Sequence, residues 1–264
     1  MTSIPSPEAP WLRCLEPRPA APLRLILLPH AGGASSLFRD WPAALPPDIE
    51  AWAVQYPGRE RRIGEPLPDD LGALARTLAE VAAPLLDRPT GVFGHSMGAG
   101  IGYEMLRVLE AERAPLARPQ AGPVHLFASA RQAPHRPRGR MVHLLPDDEF
   151  CAVLLGNGGV NGQLLADPGL RELYLPIIRS DYRISETHRP TPVTPPLRVD
   201  LTVLTGTEDH AVDPAEAARW AEATSGSFVH HELPGDHFYL IPQLATVATV
   251  VAERLRASAA SPAR

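Results

Sequence analysis

At 264 residues with a formal net charge of −5, the chain has ample length for one α/β domain with an insertion and lacks the broad basic field that nucleic acid would demand as main partner. Its basic residues are all arginine, a mark of a GC-rich bacterial genome rather than of function. Cys14 and Cys151 are too few for a disulfide framework and fit a reducing cytosol, Met1 to Trp11 has prolines but no apolar core of a signal peptide, and no apolar run approaches membrane-spanning length, so a cytoplasmic protein with no membrane partner is expected.

The first residues, through Ala21, are broken by Pro5, Pro7, Pro10, Pro17 and Pro19 and form an extended arm, with Trp11 to Leu15 offering an edge strand. Leu23 to Leu28 is a continuous apolar run of the kind a buried strand needs, and it empties into the glycine-rich turn Pro29-His30-Ala31-Gly32-Gly33 before a helix expected from Ser36 to Leu45. Ile49 to Gln55 supplies the next strand, and Arg59, Arg61 and Arg62 after it are expected in a solvated loop. Leu71, Leu74, Leu78, Val81 and Leu85 recur at helical spacing and mark an amphipathic helix over Leu71 to Leu86.

Thr90 to Phe93 is again a short apolar strand, and it runs into Gly94-His95-Ser96-Met97-Gly98 followed by a helix from Met97 to Arg113. A serine at a sharp strand-to-helix turn with glycine two places away on either side is a nucleophile elbow. Its glycines admit backbone where side chains would collide, and the helix N-terminus favours negative charge beside the hydroxyl. Val124 to Ser129 is the strand after that. The strand–helix rhythm then stops between His135 and Pro196, where Asp147 to Leu155 and Leu170 to Tyr182 are helical; an insertion of this size at the catalytic edge of a sheet reads as a helical lid. Residues 1–134 and 197–264 are therefore assigned to the core and 135–196 to the lid. Gly156 to Gly159 is no phosphate loop, since no strand precedes it and no Gly-Lys-Ser/Thr follows. Val199 to Leu204, a helix from Pro214 to Thr224, a last strand Phe228 to Leu233 and a closing helix Ile241 to Ala257 complete the chain, with Ala259 to Arg264 as a disordered tail. Strands alternating with helices of this length imply a mostly parallel sheet covered on both faces.

An activated serine needs a base within hydrogen-bond reach, and the base needs a carboxylate to fix its tautomer. With the chain order Ser, acid, His, the candidates are Ser96, Asp209 at the end of the resumed strand and His237 after the last one. Glu208, Asp213 and Asp236 are rival acids; Asp213 fits better as the cap of the Pro214 helix. The backbone N–H groups of Ala31 and Met97 are the candidate oxyanion donors, with His30 shaping their turn. No metal or other cofactor is expected: nothing has the spacing of a zinc site, and His230 and His231, adjacent on a strand, face opposite ways. His95 is expected to pack beside the elbow and Cys151 to be a buried small hydrophobe.

Pro29-His30-Ala31-Gly32-Gly33, Gln55-Tyr56-Pro57-Gly58-Arg59, Phe93-Gly94-His95-Ser96-Met97-Gly98-Ala99 and Pro234-Gly235-Asp236-His237-Phe238-Tyr239-Leu240 together resemble the type II thioesterases of nonribosomal peptide and polyketide synthesis. Arg179-Ser180-Asp181-Tyr182 is similar to that family's lid signature, which places Arg179, Asp181 and Tyr182 among the substrate and lid residues. The resemblance implies an α/β-hydrolase that removes acyl groups from the phosphopantetheine arm of acyl or peptidyl carrier proteins, with Ser96 as nucleophile, His237 as base, Asp209 as its partner and Ala31 with Met97 as oxyanion donors. Asp236 departs from the pattern, since glycine is usual before the histidine. The alternatives are a stand-alone carboxylesterase acting on small free esters, or a silent docking module, against which the intact set of Ser96, Asp209 and His237 counts. Arg131, Arg136, Arg138 and Arg140 are either a docking surface for an acidic carrier protein or a solvated loop.

Overall fold

The computed structural model describes residues 11–112, 121–135, 141–158, 165–190 and 192–261. Strands β1 (Leu12–Cys14), β2 (Leu23–Leu28), β3 (Ile49–Val54), β4 (Pro89–His95), β5 (Gly122–Ser129), β6 (Asp200–Gly206) and β7 (Phe228–Leu233) form one seven-stranded sheet. The order across it is β1-β3-β2-β4-β5-β6-β7, with β1 antiparallel to β3 and every other pairing parallel. The β4 strand, which delivers the elbow, thus lies at the centre.

Side-chain alternation explains why both faces must be covered. In β2, Leu25 and Leu27 point to one side and Ile26 and Leu28 to the other, and none of them is exposed. Ile26, Leu28, Val92 and Leu126 pack with Leu74 and Leu78 of α2 (Leu71–Ala82) and with Ile101 and Met105 of α3 (Met97–Glu112). Leu25, Leu27, Phe93 and Phe127 pack with Trp41 of α1 (Trp41–Ala44). On that same face they meet Val247, Val251 and Leu255 of the last helix, called α7 below (Leu244–Ala260).

Between β5 and β6 lie α4 (Asp147–Gly156) and α5 (Pro168–Thr187), which share a smaller apolar cluster of Phe150, Cys151, Leu154, Leu175 and Ile178. After β6 comes the short α6 (Pro214–Ala218), capped by Asp213, whose Oδ1 accepts the Ala215 N–H at 2.8 Å. Among the described residues no helix is long and apolar enough to cross a membrane.

Several expectations change, among them the helix from Pro214 to Thr224, which is α-helical only to Ala218 and continues as a 3-10 turn over Arg219–Ala223. The helix foreseen over Ser36 to Leu45 is a 3-10 turn, Ser35–Phe38, and the four-residue α1, because Pro42 at the start of α1 has no N–H with which to continue from the preceding turn. The Leu71 to Leu86 helix ends as α-helix at Ala82 and tightens into a 3-10 turn over Ala83–Leu85 around Pro84. Residues 259–260 belong to α7 rather than to a loose tail, and 262–264 lie outside the described residues. Arg59 and Arg62 are buried, not solvated: the Arg62 guanidinium lies 3.6 Å from the centre of the Trp11 ring and donates to the Gln55 carbonyl at 3.0 Å, while Arg59 is paired as described below. Arg61 alone of the three is exposed.

Candidate active site

The elbow is built by close approach. A Cβ on Gly94 would stand 2.2 Å from the carbonyl oxygen of Gly98, and one on Gly98 would stand 2.2 Å from that of Leu28. Only glycine lets strand, turn and helix meet this tightly. Ser96 itself has φ of +53°, a conformation that non-glycine residues adopt at a cost of about 1–3 kcal/mol. The turn is held by the Ser96 N–H donating to the Ser129 carbonyl at 2.8 Å, and the Ala99 N–H donating back to the Ser96 carbonyl at 3.1 Å. Met97 opens α3, so its amide belongs to the first turn, whose N–H groups have no intrahelical acceptor.

The loops after β6 and β7 are laced together at the same edge. The Thr207 N–H donates to the Leu233 carbonyl at 2.9 Å and the Glu208 N–H to that of Gly235 at 2.9 Å. This brings His237 Nδ1 to 2.8 Å from Asp209 Oδ2, while Asp209 Oδ1 accepts the Ala211 N–H at 2.9 Å. The Asp209 side chain has no exposed surface and that of His237 only 11%. The rival acids point elsewhere. Asp236 Oδ1 accepts the Phe238 N–H at 2.7 Å, Asp213 caps α6, and Glu208 is exposed.

A cleft is lined by His30, Ala31, Ser96, Leu154, Asn157, Tyr182, His237 and Phe238. Four chain segments far apart in sequence therefore converge on one space: the turn after β2, the elbow, the α4–α5 region and the β7 loop. A hydroxyl and an imidazole tied to a carboxylate thus line one cleft, beside two backbone turns. A family model for the thioesterase domain matches residues 23–258. The chain belongs to the thioesterase family.

The probable cadicidin biosynthesis thioesterase of Streptomyces griseus is 38% identical over 263 residues, which is 100% of this chain and 71% of that protein. Thioesterase PikA5 of Streptomyces venezuelae is 35% identical over 255 residues, 96% of this chain and 88% of that one. The solved structure of the type II thioesterase BorB from the borrelidin biosynthetic cluster superposes with a TM-score of 0.82 at 39% identity, covering 94% of this chain and 98% of BorB. This thioesterase is accordingly an α/β-hydrolase that acts on thioesters.

Its cleft is floored by rings. His95 packs 5.3 Å from His237 and 5.3 Å from Phe238 between ring centres, and His30 lies 4.8 Å from Phe238. Burial, with the charge of nearby His237 adding to it, pushes His30 down to about 3 and His95 well below the ordinary imidazole value. Both rings are neutral at pH 7, so an imidazolium formed at His237 has no cationic ring beside it. His95 Nδ1 is tied at 2.9 Å to the Ser129 hydroxyl, which meets the buried Tyr239 hydroxyl at 2.5 Å, fixing the plane on which His237 rests.

The residues placed in the lid by resemblance divide. Tyr182 lines the cleft, as does Asn157, whose Nδ2 donates to the Tyr182 hydroxyl at 3.5 Å. Arg179 does not line it: it donates to the His143 and Leu145 carbonyls at 2.6 and 2.8 Å and to Asp147 at 2.7 Å, with its guanidinium 4.3 Å from the centre of the Phe150 ring. Asp181 is buried against Arg59 and the turn after β2, also outside the cleft lining. Burial pushes its carboxyl above the ordinary range, with Arg59 and the Gly32 amide pulling it back.

Arg131 is no docking residue. It is buried, donating to the Ser96 carbonyl at 3.2 Å and to the Ser185 hydroxyl at 3.2 Å, so its charge supports the elbow from beneath. Arg136, Arg138 and Arg140 lie outside the described residues. His95 and Cys151 are buried as expected, His230 bonds Thr205 at 2.9 Å, and no cluster of metal-ligating side chains occurs among the described residues. Leu154 and Asn157 carry no motif that would have marked them beforehand; they reach the cleft only because α4 ends there.

Proposed function

We propose that this thioesterase cleaves acyl groups from the phosphopantetheine arm of carrier proteins in a polyketide or nonribosomal peptide assembly line, with Ser96 as nucleophile, His237 as base and Asp209 as its partner. The observation that carries the catalytic part is the 2.8 Å His237–Asp209 bond made by an imidazole that lines the same cleft as Ser96. The relatives named for antibiotic biosynthesis support the carrier-bound substrate.

The chemistry follows from where protons can go. With Nδ1–H donated to Asp209, the Nε2 of His237 is left as the acceptor, so it can take the Ser96 proton as Oγ attacks the thioester carbonyl. The carbonyl oxygen becomes an oxyanion, received by the N–H groups of Ala31 and Met97; each such donor is worth roughly 10²–10³ in rate. Collapse expels the pantetheine thiolate, which takes the proton from His237, and leaves an acyl-Ser96 ester. Water then gives its proton to His237, adds to that ester and releases the carboxylic acid and the serine hydroxyl.

Residues 135–196 act as a lid that leaves a slot for a threaded arm rather than a free molecule. The enzyme works in the cytoplasm, where its free cysteines stay reduced. Intact-mass spectrometry of a panel of acylated carrier proteins tests the whole: the wild type returns holo-carrier and free acid, and Ser96→Ala leaves the acyl-carrier mass in place. Equal loss of acyl groups with both enzymes refutes the nucleophile. Turnover of small aryl esters alone refutes the carrier-bound substrate and leaves a stand-alone esterase.

A further inference from the structure

The turn after β2 is clamped from outside by α5. The Gly33 N–H donates to the His30 carbonyl at 2.9 Å, closing a four-residue turn whose third residue, Gly32, has φ of +79°, the arrangement of a type II turn. Two adjacent glycines give such a turn little stiffness of its own. Its central amide, the Gly32 N–H, donates to Asp181 Oδ2 at 2.7 Å across 149 residues of sequence. Ile178, one helical turn before Asp181, packs so closely that a Cβ on Gly32 would lie 2.7 Å from its Cγ1. Arg59 holds the other side of the carboxylate: its Nη2 donates to the same Oδ2 and its Nη1 to the Pro57 carbonyl at 2.7 Å. Asp181 and Arg59 side chains are each 2% exposed, so neither charge has water to replace the other. At the strand end of the turn, the Tyr56 hydroxyl donates to the Pro29 carbonyl at 3.2 Å.

We propose that Asp181 is a positioning residue for the oxyanion turn, acting through the Gly32 amide to hold the neighbouring Ala31 N–H on the developing oxyanion, with Arg59 holding Asp181. This rests on the oxyanion role given to Ala31 above. The helix that bounds the substrate cleft and the turn that stabilises the transition state are then one rigid body at this point. A glycine-rich turn released from Asp181 gains the alternative orientation of its central peptide, and a donor displaced by a fraction of an ångström loses most of its effect.

The test uses the full chain, an acyl-N-acetylcysteamine thioester as substrate and fluorophosphonate titration to count working sites. In Asp181→Ala, kcat per titrated site falls on the order of 10–100-fold while KM stays within about twofold, the pattern of an interaction made only in the transition state. A trifluoromethyl ketone analogue, whose serine adduct carries an oxyanion, weakens by the same factor, and an unreactive thioether analogue keeps its affinity. A merely structural role would lower the melting temperature and the count of working sites, and leave kcat per site and the two affinities unchanged; that result overturns the proposal. If Asp181→Ala does not fold, two charge-free pairs decide: Arg59→Met with Asp181→Asn keeps an acceptor for the Gly32 amide, and Arg59→Met with Asp181→Leu does not. A kcat about tenfold or more higher in the first supports the proposal and equal values overturn it. Activity that survives Ser96→Ala would instead remove the reading of the site itself, a separate failure.

Discussion

Asp209 accepts one hydrogen bond from His237 and one from the backbone, and its side chain is wholly buried. An amide in its place could still bond the imidazole, yet would favour the tautomer that puts the proton on Nε2, where the proposed nucleophile Ser96 needs an acceptor. Asp209→Asn should therefore lower kcat by roughly 10⁴ with little change in melting temperature, as steady-state kinetics beside a thermal melt would read out. A loss smaller than tenfold would move the role to Asp236 or Glu208. At this scale the sequence was unevenly legible. Ser96 and His237 sit in local patterns, because an elbow needs its glycines in fixed places, and the cap at Asp213 was visible for a similar local reason. Asp209 could be preferred but not separated from Asp236, since only coordinates reveal that Asp236 spends its Oδ1 on the Phe238 amide. Arg59, Arg62 and Arg131 read as solvated or docking charges because the acceptors that let a guanidinium be buried lie far away in sequence, up to 122 residues for Arg59 and Asp181.

Strands were legible where helices were less so, and the reason is burial on both faces. A central parallel strand shows as an unbroken apolar run; α4 and α5 were read as helical too, but the polar ties that hang the segment before α4 from α5 leave no periodic trace. The 3-10 turn Val142–Leu144 hangs from α5 at two points. Arg179 holds the His143 and Leu145 carbonyls, and Glu186 accepts the Val142 and His143 N–H groups at 3.0 and 3.1 Å and the His143 ring at 2.5 Å. Pro176 inside α5 is tolerated because it and Glu172, whose carbonyl lacks its donor, both lie on the exposed side. Glu186 is 7% exposed, so Glu186→Ala strands two backbone donors and should destabilise the chain by about 2–4 kcal/mol. Hydrogen–deuterium exchange is expected to rise at residues 141–156 while β4 and β5 stay protected. Equal protection across both would show that the apolar cluster around Phe150 holds α4 without the polar ties.

For the molecule as a whole, three histidines held neutral, His125 and His95 in the core and His30 at the cleft, couple folding to pH. His125 is clamped between Ser258 and Thr202 at 2.8 Å each and stacked on Phe127, and burial pushes it down to about 3, as it does His30, while His95 is also held well below the ordinary value. In the unfolded chain these rings titrate near the ordinary value of about 6.5. Below that pH the unfolded state binds protons that the native state refuses, so stability rises with pH in this range; the contribution is intact above about 6.5 and is lost as pH falls. Each ring adds about 1.4 kcal/mol per pH unit to the slope once it is charged in the unfolded chain. The carboxylates Asp48, Glu50 and Asp87, held low by arginine partners or hydrogen bonds, act in the same direction but only nearer their own range, while Asp181, pushed up by burial, acts oppositely, so a single histidine is isolated by comparing the wild type with a variant over the interval from pH 6 to 5. His125 lies in the core away from the cleft, which makes it the clean probe. Urea unfolding of the wild type and of His125→Gln at pH 7, 6 and 5 should give a wild-type curve that falls faster by about 1 kcal/mol over that last unit, whatever the variant loses at pH 7. Parallel curves would mean that His125 accepts its proton in the folded chain, which its two hydroxyl partners and the stacked Phe127 ring leave no solvated room to do.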